Sequence, residues 1–463
     1  MMRLQQSTRW SMMVVLASTM LLSSWAHAKN TAVEPEPKKE DWWQERQAVM
    51  NERVAQGNAD LLFIGDSITH GWEGKGKAVW DEYYGDRNAV NLGIGGDRTQ
   101  HVLWRLQNGN IDGLSPKLAV VMIGTNNHGS NSAEEISEGV TAIIRLLRNE
   151  LPDMKVLLLG IFPRGEKPAE ILEKLNKANS LIADLAADPM VEYFDMGRFF
   201  LNDEGVLTKE IMPDLLHPNE VGYKLWAEAI EPRVAALMGE YTDNTPPTGY
   251  VQLFNGKDLT GWKGLVEDPE KRAAMTPEEL AEKQKAADEE MRSTWTVTDG
   301  VLNFSGVGHS LCTDRDYQDI DMLVDWKISP KGDSGIYLRG APQVQIWDPA
   351  MWPQGSGGLY NNQKNPADPS IKADNPIGEW NRFRIIMVGE KVTVYLNNVL
   401  VVDNVVLENY WNREIPIYDS GQIELQNHGD PLSFKNVFIR EIPRVVTPAP
   451  EPVAAETPAP AQN

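Results

Sequence analysis

FIGDSITHGW, residues 63–72, places a serine at the end of a short apolar run, between an acid and a turn of small residues. Read backward, ADLLFIG (59–65) has the composition of a buried strand; read forward, the chain turns helical at Asp66 or Ser67. A Gly-Asp-Ser step between strand and helix is a common capping sequence, so the hydroxyl alone leaves two readings open. Ser67 is either a helix cap or a nucleophile presented at a strand-to-helix turn. What the rest of the chain brings to the same place decides between them.

Working outward, NAVNLGI (88–94), KLAVVMIG (117–124), KVLLLGI (155–161) and MVEYFD (190–195) repeat the apolar run, with helical patterns between them. In SAEEISEGVTAIIRLLRNEL (132–151), Ser132 and Glu135 make a capping box, and Ile136, Val140, Ile143, Leu147 and Leu151 recur at helical spacing. This alternation predicts an α/β domain with a parallel sheet over residues 41–239. In such open sheets ligands gather beyond the carboxyl ends of the strands, near a topological switch point. Ser67 follows the first strand, GIGGD (93–97) the second and GTNNH (124–128) the third, and DLLHPN (214–219) comes after the fifth. A hydroxyl, an imidazole, a carboxylate and amide donors therefore converge on one edge, which is the inventory of an acyl-transfer site.

The period changes after YTDNTPPTGY (241–250). Its paired Pro246 and Pro247 predict a linker over 240–248, extended and semi-rigid, between halves that fold separately. Beyond it, DMLVDWKI, SGIYLRG, PQVQIWD, KVTVYLNN and LSFKNVFIREI alternate as strands and predict an all-β sandwich over 249–442, interrupted by one helical insert, TPEELAEKQKAADEEM. Residues 443–463, rich in Pro and Ala, are expected to be a disordered tail. At the other end, Arg3 and Arg9, the apolar Met12–Leu22 and Ala26-His27-Ala28 have the order of a cleavable secretory signal over 1–28. The expected mature protein is exported, periplasmic or secreted. No later stretch has the roughly 20 apolar residues of a membrane helix.

With 44 Lys plus Arg against 66 Asp plus Glu, the net charge of −22 repels phosphate backbones and argues against nucleic acid as a partner. An uncharged substrate such as a carbohydrate suits it. The single cysteine, Cys312, allows no internal disulfide. His70, His101 and His128 fit no tight ligand motif, and GIGGDR lacks the third glycine of a dinucleotide loop, so neither metal nor cofactor is expected.

The four polar blocks resemble those of the SGNH, or GDSL, hydrolases. GIGGDRTQHVLWRLQNG, VMIGTNNHG and LLLGIFPRGEKP resemble more narrowly the catalytic subunits of platelet-activating-factor acetylhydrolase. The resemblance implies a flavodoxin-like fold, Ser67 as nucleophile, Asp214 and His217 as its triad partners, and an oxyanion hole from Gly96, Asn126 and the Ser67 amide. The chemistry agrees: a serine needs a base, and an acid three residues before His217 can reach its Nδ1 and leave Nε2 facing the hydroxyl.

The second half has a resemblance of its own. LFNGKDLTGW, WTVTDGVLNFSG, GDSGIYLRGAPQVQIWD, IGEWNRFRIIMVGEKVTVYLNN and GQIELQNHGDPLSFKNVFIREI are similar to the 3-keto-disaccharide hydrolase family, a concanavalin-like sandwich. Arg339, Gln345, Asp348, Trp380 and His428 are a polar and aromatic set able to grip a sugar. For tryptophans in a sandwich and Asp-Pro or His-Gly turns, core packing and turn formation are the competing readings. The whole is thus expected to be an exported serine esterase acting on a short acyl, most simply acetyl, ester of a carbohydrate. The alternatives are a glycoside (3-keto-sugar) hydrolase with an accessory esterase, and a non-catalytic carbohydrate-binding protein.

Overall fold

The computed structural model describes residues 29–165, 170–202, 205–240 and 243–444. The expected leader (1–28) and nearly all of the expected tail (443–463) lie outside the described residues. The first domain has strands β1 (Leu61–Gly65), β2 (Ala89–Gly93), β3 (Leu118–Met122), β4 (Lys155–Leu159) and β5 (Val191–Phe194). Its helices are α1 (Asp41–Ala55), α2 (Ser67–His70), α3 (Lys77–Tyr84), α4 (Thr99–Leu106), α5 (Ala133–Glu150), α6 (Glu170–Ile182) and α7 (Glu220–Leu237). The strands pair in parallel in the order β2-β1-β3-β4-β5, which is the flavodoxin-like α/β order, so the chain reverses direction across the sheet at β1 and β3.

Strand periodicity gives the sheet two apolar faces. Leu62 and Ile64 pack with Trp43, Val102 and Val140 from α1, α4 and α5, while Leu61 and Phe63 pack with Trp72, Tyr84 and Trp226 on the opposite side. The capping box of α5 forms in both directions: the Glu135 amide donates to Ser132 Oγ at 3.2 Å, and the Ser132 amide to Glu135 Oε2 at 3.0 Å. Ile136, Val140, Ile143 and Leu147 are fully buried along its inner face.

The second domain is a β-sandwich. Its strands are β6 (Val251–Gln252), β7 (Trp262–Gly264), β8 (Trp295–Thr298), β9 (Val301–Phe304), β10 (Leu311–Thr313), β11 (Ile320–Ile328), β12 (Asp333–Leu338), β13 (Ala341–Trp347), β14 (Asn381–Val388), β15 (Lys391–Leu396), β16 (Val399–Val406), β17 (Glu424–Leu425) and β18 (Leu432–Glu441). One five-stranded sheet runs β13-β12-β17-β10-β7; the other, of eight strands, runs β16-β15-β14-β11-β18-β9-β8 with β6 beside β18. The apolar core fills the space between them. The helical insert forms α8 (Pro269–Ala273) and α9 (Pro277–Thr294), the latter started by a Thr276–Glu279 capping box.

The segment read as a linker lies against the sandwich. The Asn244 amide donates to Asn436 Oδ1 at 2.6 Å, Asn244 Nδ2 to the Gly300 carbonyl at 3.1 Å, and Lys435 Nζ to Asp243 Oδ1 at 2.8 Å. Nor are the two halves separate bodies. Ile386 and Tyr395, from the outer face of the eight-stranded sheet, complete the apolar cluster of the first domain.

The polar part of this interface has a definite cause in the sequence. Pro232 lies inside α7 and has no N–H to offer the Glu228 carbonyl four residues earlier. Arg384 fills that place from the sandwich, donating from Nη2 to the Glu228 carbonyl at 3.2 Å and from Nη1 to the Ala229 carbonyl at 2.6 Å. Its charge is balanced by buried Asp321, whose Oδ2 also receives Arg440 Nη2 at 2.9 Å.

Burial pushes the Asp321 carboxyl up, but the Arg384 and Arg440 guanidiniums outweigh it and hold the group at about 2. A depressed carboxylate stabilises the fold above its unfolded value near 4 and loses that contribution as pH falls toward 2. Asp321→Asn is expected to destabilise the protein by about 3–5 kcal/mol at neutral pH, as when one member of a buried ion pair is removed, and to flatten the acid limb of urea-melt stability between pH 4 and 2. An unchanged acid limb would assign it to other carboxylates.

Candidate active site

Sterics at the end of β1 place Ser67. A Cβ on Gly65 would stand 2.1 Å from Thr69 Oγ1 and 2.4 Å from the Met122 carbonyl, so only glycine lets α2 fold back this closely on β1 and β3. Asp66 then caps α2, its Oδ1 accepting from the Ile68 amide at 3.0 Å. Capping therefore falls to Asp66, and the Ser67 side chain is left to face outward at the first helical position, where its own amide lacks an intrahelical acceptor.

Across from it stands the loop that leads into α7. Leu215, a non-glycine residue, has φ of +57°, and this left-handed turn puts Asp214 and His217 on the same side. Asp214 Oδ1 accepts the backbone amides of Leu216 (3.1 Å) and His217 (2.7 Å), and Oδ2 lies 2.6 Å from His217 Nδ1. His217 Nε2 lies 2.9 Å from Ser67 Oγ. A carboxylate only accepts, so Nδ1 carries the proton and Nε2 is free to accept from the serine. For Asp214, slight burial raises the carboxyl, but the hydrogen bonds from the His217 ring and amide prevail and hold it below its usual range. It stays ionised at neutral pH.

The third side of the site is the turn after β2. Gly96 has φ of +68° and is exposed. Asn126, on the short turn after Gly124, donates one Nδ2 hydrogen to the Asp97 carbonyl at 2.9 Å and keeps the other. Below them Asp97 is fully buried, accepting from Arg105 Nε at 2.8 Å and Trp43 Nε1 at 2.7 Å, with Lys38 Nζ at 3.7 Å. Arg105 also donates to the Gly65 carbonyl at 3.2 Å. One buried ion pair thus links the chain just before Asp66 to the turn carrying Gly96. Neither Asp97 nor Arg105 was singled out by sequence reasoning, although their spacing of eight in DRTQHVLWR could have marked them.

The three histidines weighed above as metal ligands have structural surroundings. His101 accepts the Arg98 amide on Nδ1 at 3.0 Å, and burial, with Lys38 and Arg98 nearby, pushes it down to about 3. His70 is lowered by burial, and His128 Nδ1 lies 2.8 Å from the Thr125 carbonyl. Among the described residues no cluster of three or more His, Cys, Asp or Glu could hold a metal ion, and no helix is long and apolar enough to cross a membrane.

The five residues proposed for sugar contact do not form one site. Gln345 Nε2 donates to Asp333 Oδ1 at 2.7 Å, and His428 Nδ1 stands 3.6 Å from Asp333 Oδ2. Asp348, close by, receives the amides of Lys331 (2.7 Å) and Ala350 (2.8 Å) and so builds a turn. Arg339 lies past the far end of β12, buried on Asp319 (2.6 Å) and on the Gln318 and Tyr418 carbonyls. Trp380 lies elsewhere again, with Lys327 and Lys435 at 4.9 and 4.8 Å from its ring.

Residues 63–225 match the GDSL-like lipase/acylhydrolase family, and residues 249–440 match the 3-keto-alpha-glucoside-1,2-lyase-like domain. The chain is 34% identical over 220 residues to platelet-activating factor acetylhydrolase IB subunit alpha1 of Homo sapiens, covering 46% of this chain and 93% of that one. To the alpha2 subunit of Gallus gallus it is 38% identical over 182 residues, 39% of this chain and 78% of that one. The chain belongs to the GDSL-like lipase/acylhydrolase family. It is a hydrolase acting on ester bonds, with a 3-keto-disaccharide hydrolase-like sandwich attached. Among solved structures, an acetylxylan esterase from Geobacillus stearothermophilus aligns at 17% identity and a TM-score of 0.33, over 40% of this chain and 95% of that one.

Asp66 is the one acid of this GDSL site with an oxygen, Oδ2, that is buried and has no hydrogen-bond partner among the described residues. Burial, opposed by the Ile68 amide and reinforced by Asp97, pushes its carboxyl up to about 7. A raised carboxyl contributes stability that is complete below its unfolded value near 4 and is lost as pH rises through 7. Asp66→Asn, which keeps the capping oxygen, is expected to flatten the fall of stability between pH 4 and 7 in urea melts, by up to about 1.4 kcal/mol per pH unit. A slope identical to that of the parent protein would place the buried proton on another group.

Proposed function

We propose that the protein is an exported serine esterase that removes short acyl groups, acetyl first among them, from carbohydrate, with Ser67 as nucleophile, His217 as general base and Asp214 as the acid that orients it. The observation that carries this reading is the continuous relay Ser67 Oγ, His217 Nε2, His217 Nδ1, Asp214 Oδ2, with spacings of 2.9 Å at the serine and 2.6 Å at the acid.

In the proposed reaction, His217 Nε2 takes the Ser67 proton as Oγ attacks the ester carbonyl. The tetrahedral oxyanion is received by the Ser67 and Gly96 amides and the second Asn126 Nδ2 hydrogen; each such donor typically supplies about 3–4 kcal/mol to the transition state. The imidazolium, facing the Asp214 carboxylate, returns its proton to the leaving alkoxide. Water, deprotonated by the same imidazole, then attacks the acyl-serine and releases the carboxylic acid.

The choice of acyl group is supported by the acetylhydrolase name of the relatives, and the choice of sugar by the family of the attached sandwich. The secretory order of residues 1–28 and the negative net charge fit a neutral, extracytoplasmic substrate. These supports are independent of one another.

Ser67→Ala in the full chain is expected to lower turnover of p-nitrophenyl acetate by at least about 10³-fold. Because Asp66 provides the cap, thermal stability should move little. Asp214→Asn should cost about 10⁴-fold by presenting the wrong imidazole tautomer, with an unchanged far-UV spectrum. Near-normal turnover in a folded Ser67→Ala protein would transfer the chemistry to another residue.

A further inference from the structure

The turn that carries Gly96 is closed from outside by a segment that belongs neither to the relay nor to its oxyanion donors. Residues 29–40 run ahead of α1 as a strap over α4 and α5. Asn30 Oδ1 accepts the Ala32 amide at 2.9 Å, Ala32 is fully buried, and its carbonyl takes the Thr99 hydroxyl at 2.7 Å. Further along, the Glu36 amide donates to the Gln100 carbonyl at 3.2 Å, and the Lys38 carbonyl accepts from Gln44 Nε2 of α1. The strap is pinned on both sides of Lys38.

From these anchors the Lys38 side chain reaches the turn after β2. Its Nζ donates to the Gly95 carbonyl at 3.1 Å and stands 3.7 Å from Asp97 Oδ1, with the exposed indole of Trp42 centred 5.7 Å away. A Cβ on Gly96 would meet Nζ at 3.0 Å, the nearest atom from outside the turn. Ordinary backbone dimensions then put the ammonium within about 5.5 Å of the Gly96 amide nitrogen. The Lys38 side chain is 15% exposed, so water and salt screen this charge weakly.

The charge is in excess where it lies. Asp97 faces Lys38 but is already matched by Arg105 at 2.8 Å, and Arg46 is matched by Glu73 at 2.8 Å. His101, whose Nδ1 accepts the Arg98 amide, is neutral, and Asp66, pushed up to about 7 by burial, carries its charge only in part at neutral pH. Lys38 and Arg98 are left over, and Lys38 is the one fixed by contacts with the turn itself. Closing the Gly95 carbonyl needs no charge, since a neutral amide donor would satisfy that oxygen. An ammonium adds what an amide does not, a standing positive potential where negative charge develops.

We infer that Lys38 is a positioning residue of the ester reaction: it holds the Gly95–Gly96 turn and adds positive charge beside the Gly96 amide that receives the oxyanion. The inference rests on the triad and oxyanion assignments proposed above. Lys38 lies outside residues 63–225, so the matched family pattern does not assign it. The strap becomes part of the active centre, and its anchors set the ammonium before substrate arrives.

The test is steady-state hydrolysis of p-nitrophenyl acetate by full-length variants, with melting temperatures measured in parallel. Lys38→Gln keeps a donor for the Gly95 carbonyl and removes the charge. It is expected to lower kcat about 10–100-fold, less than the roughly 10²–10³-fold of a lost direct donor, with KM within about twofold of the parent value. Lys38→Cys gives a second comparison: 2-bromoethylamine converts its thiol into an isostere of the lysine ammonium, and iodoacetamide into a neutral amide. Only the ammonium is expected to restore kcat. The native Cys312 is buried, and burial pushes its thiol up to about 12, so it is spared. Should Lys38→Gln fail to fold, the two alkylated forms of Lys38→Cys carry the comparison. A normal kcat in folded Lys38→Gln, or equal restoration by both reagents, would overturn the inference and leave the triad standing. Turnover surviving in Ser67→Ala, measured in the same assay, would overturn the triad and this inference with it.

Discussion

The Asp97–Arg105 pair is the contact on which the first domain's functional edge depends. A carboxylate and a guanidinium, both wholly buried, would be costly apart; together, with Trp43 and Asn110 completing their hydrogen bonds, they are satisfied. Their position gives them consequence. Arg105 holds the Gly65 carbonyl at the end of β1, and the Asp97 carbonyl holds Asn126 at the end of β3. Three loops from three strands are thereby fixed to one buried charge pair. The proposed oxyanion donors are set relative to Ser67 before any substrate arrives, which is what electrostatic preorganisation requires.

A second constraint joins the halves. The N–H that Pro232 lacks inside α7 would leave the Glu228 carbonyl without a donor, and the sandwich supplies one through Arg384. Around that contact Arg233 lies over Phe194 at 4.1 Å and over Tyr395 at 5.3 Å, so the interface mixes apolar burial with paired charge. The sandwich is accordingly attached to the α/β domain as a rigid neighbour through α7, the helix that follows directly on the loop carrying Asp214 and His217.

Most of this was legible in the sequence where a single local pattern sufficed. The five apolar runs, the Ser132–Glu135 box and the four polar blocks after the strands are short-range signals, and each corresponds to an element or loop in the fold. The relay residues were legible for the same reason: Ser67 lies in one block, and Asp214 and His217 are three apart in another. What escaped depends on register between distant segments. The Asp97–Arg105 pair reads as an exposed charge run until α4 is seen to pack inward. The docked linker depends on Lys435 and Asn436, 192 residues away, and the role of Pro232 on Arg384, over 150 residues away. On the sandwich, the period-two spacing of Gln343, Gln345 and Trp347 in PQVQIWD, and of Glu424 and Gln426 in IELQ, was visible as a polar strand face. Its burial at Glu424 involves α8, whose Arg272 Nη2 stands 3.7 Å from the carboxylate.

The central claim is that Ser67 is the nucleophile activated by His217, and covalent trapping tests it most directly. The full chain is treated with a fluorophosphonate, digested, and mapped by mass spectrometry alongside its His217→Ala counterpart. One phosphonyl group on the peptide containing Ser67, formed in step with loss of esterase activity and absent from the His217→Ala protein, is the result this account requires. A label on another residue, or full esterase activity in protein stoichiometrically labelled at Ser67, would contradict it.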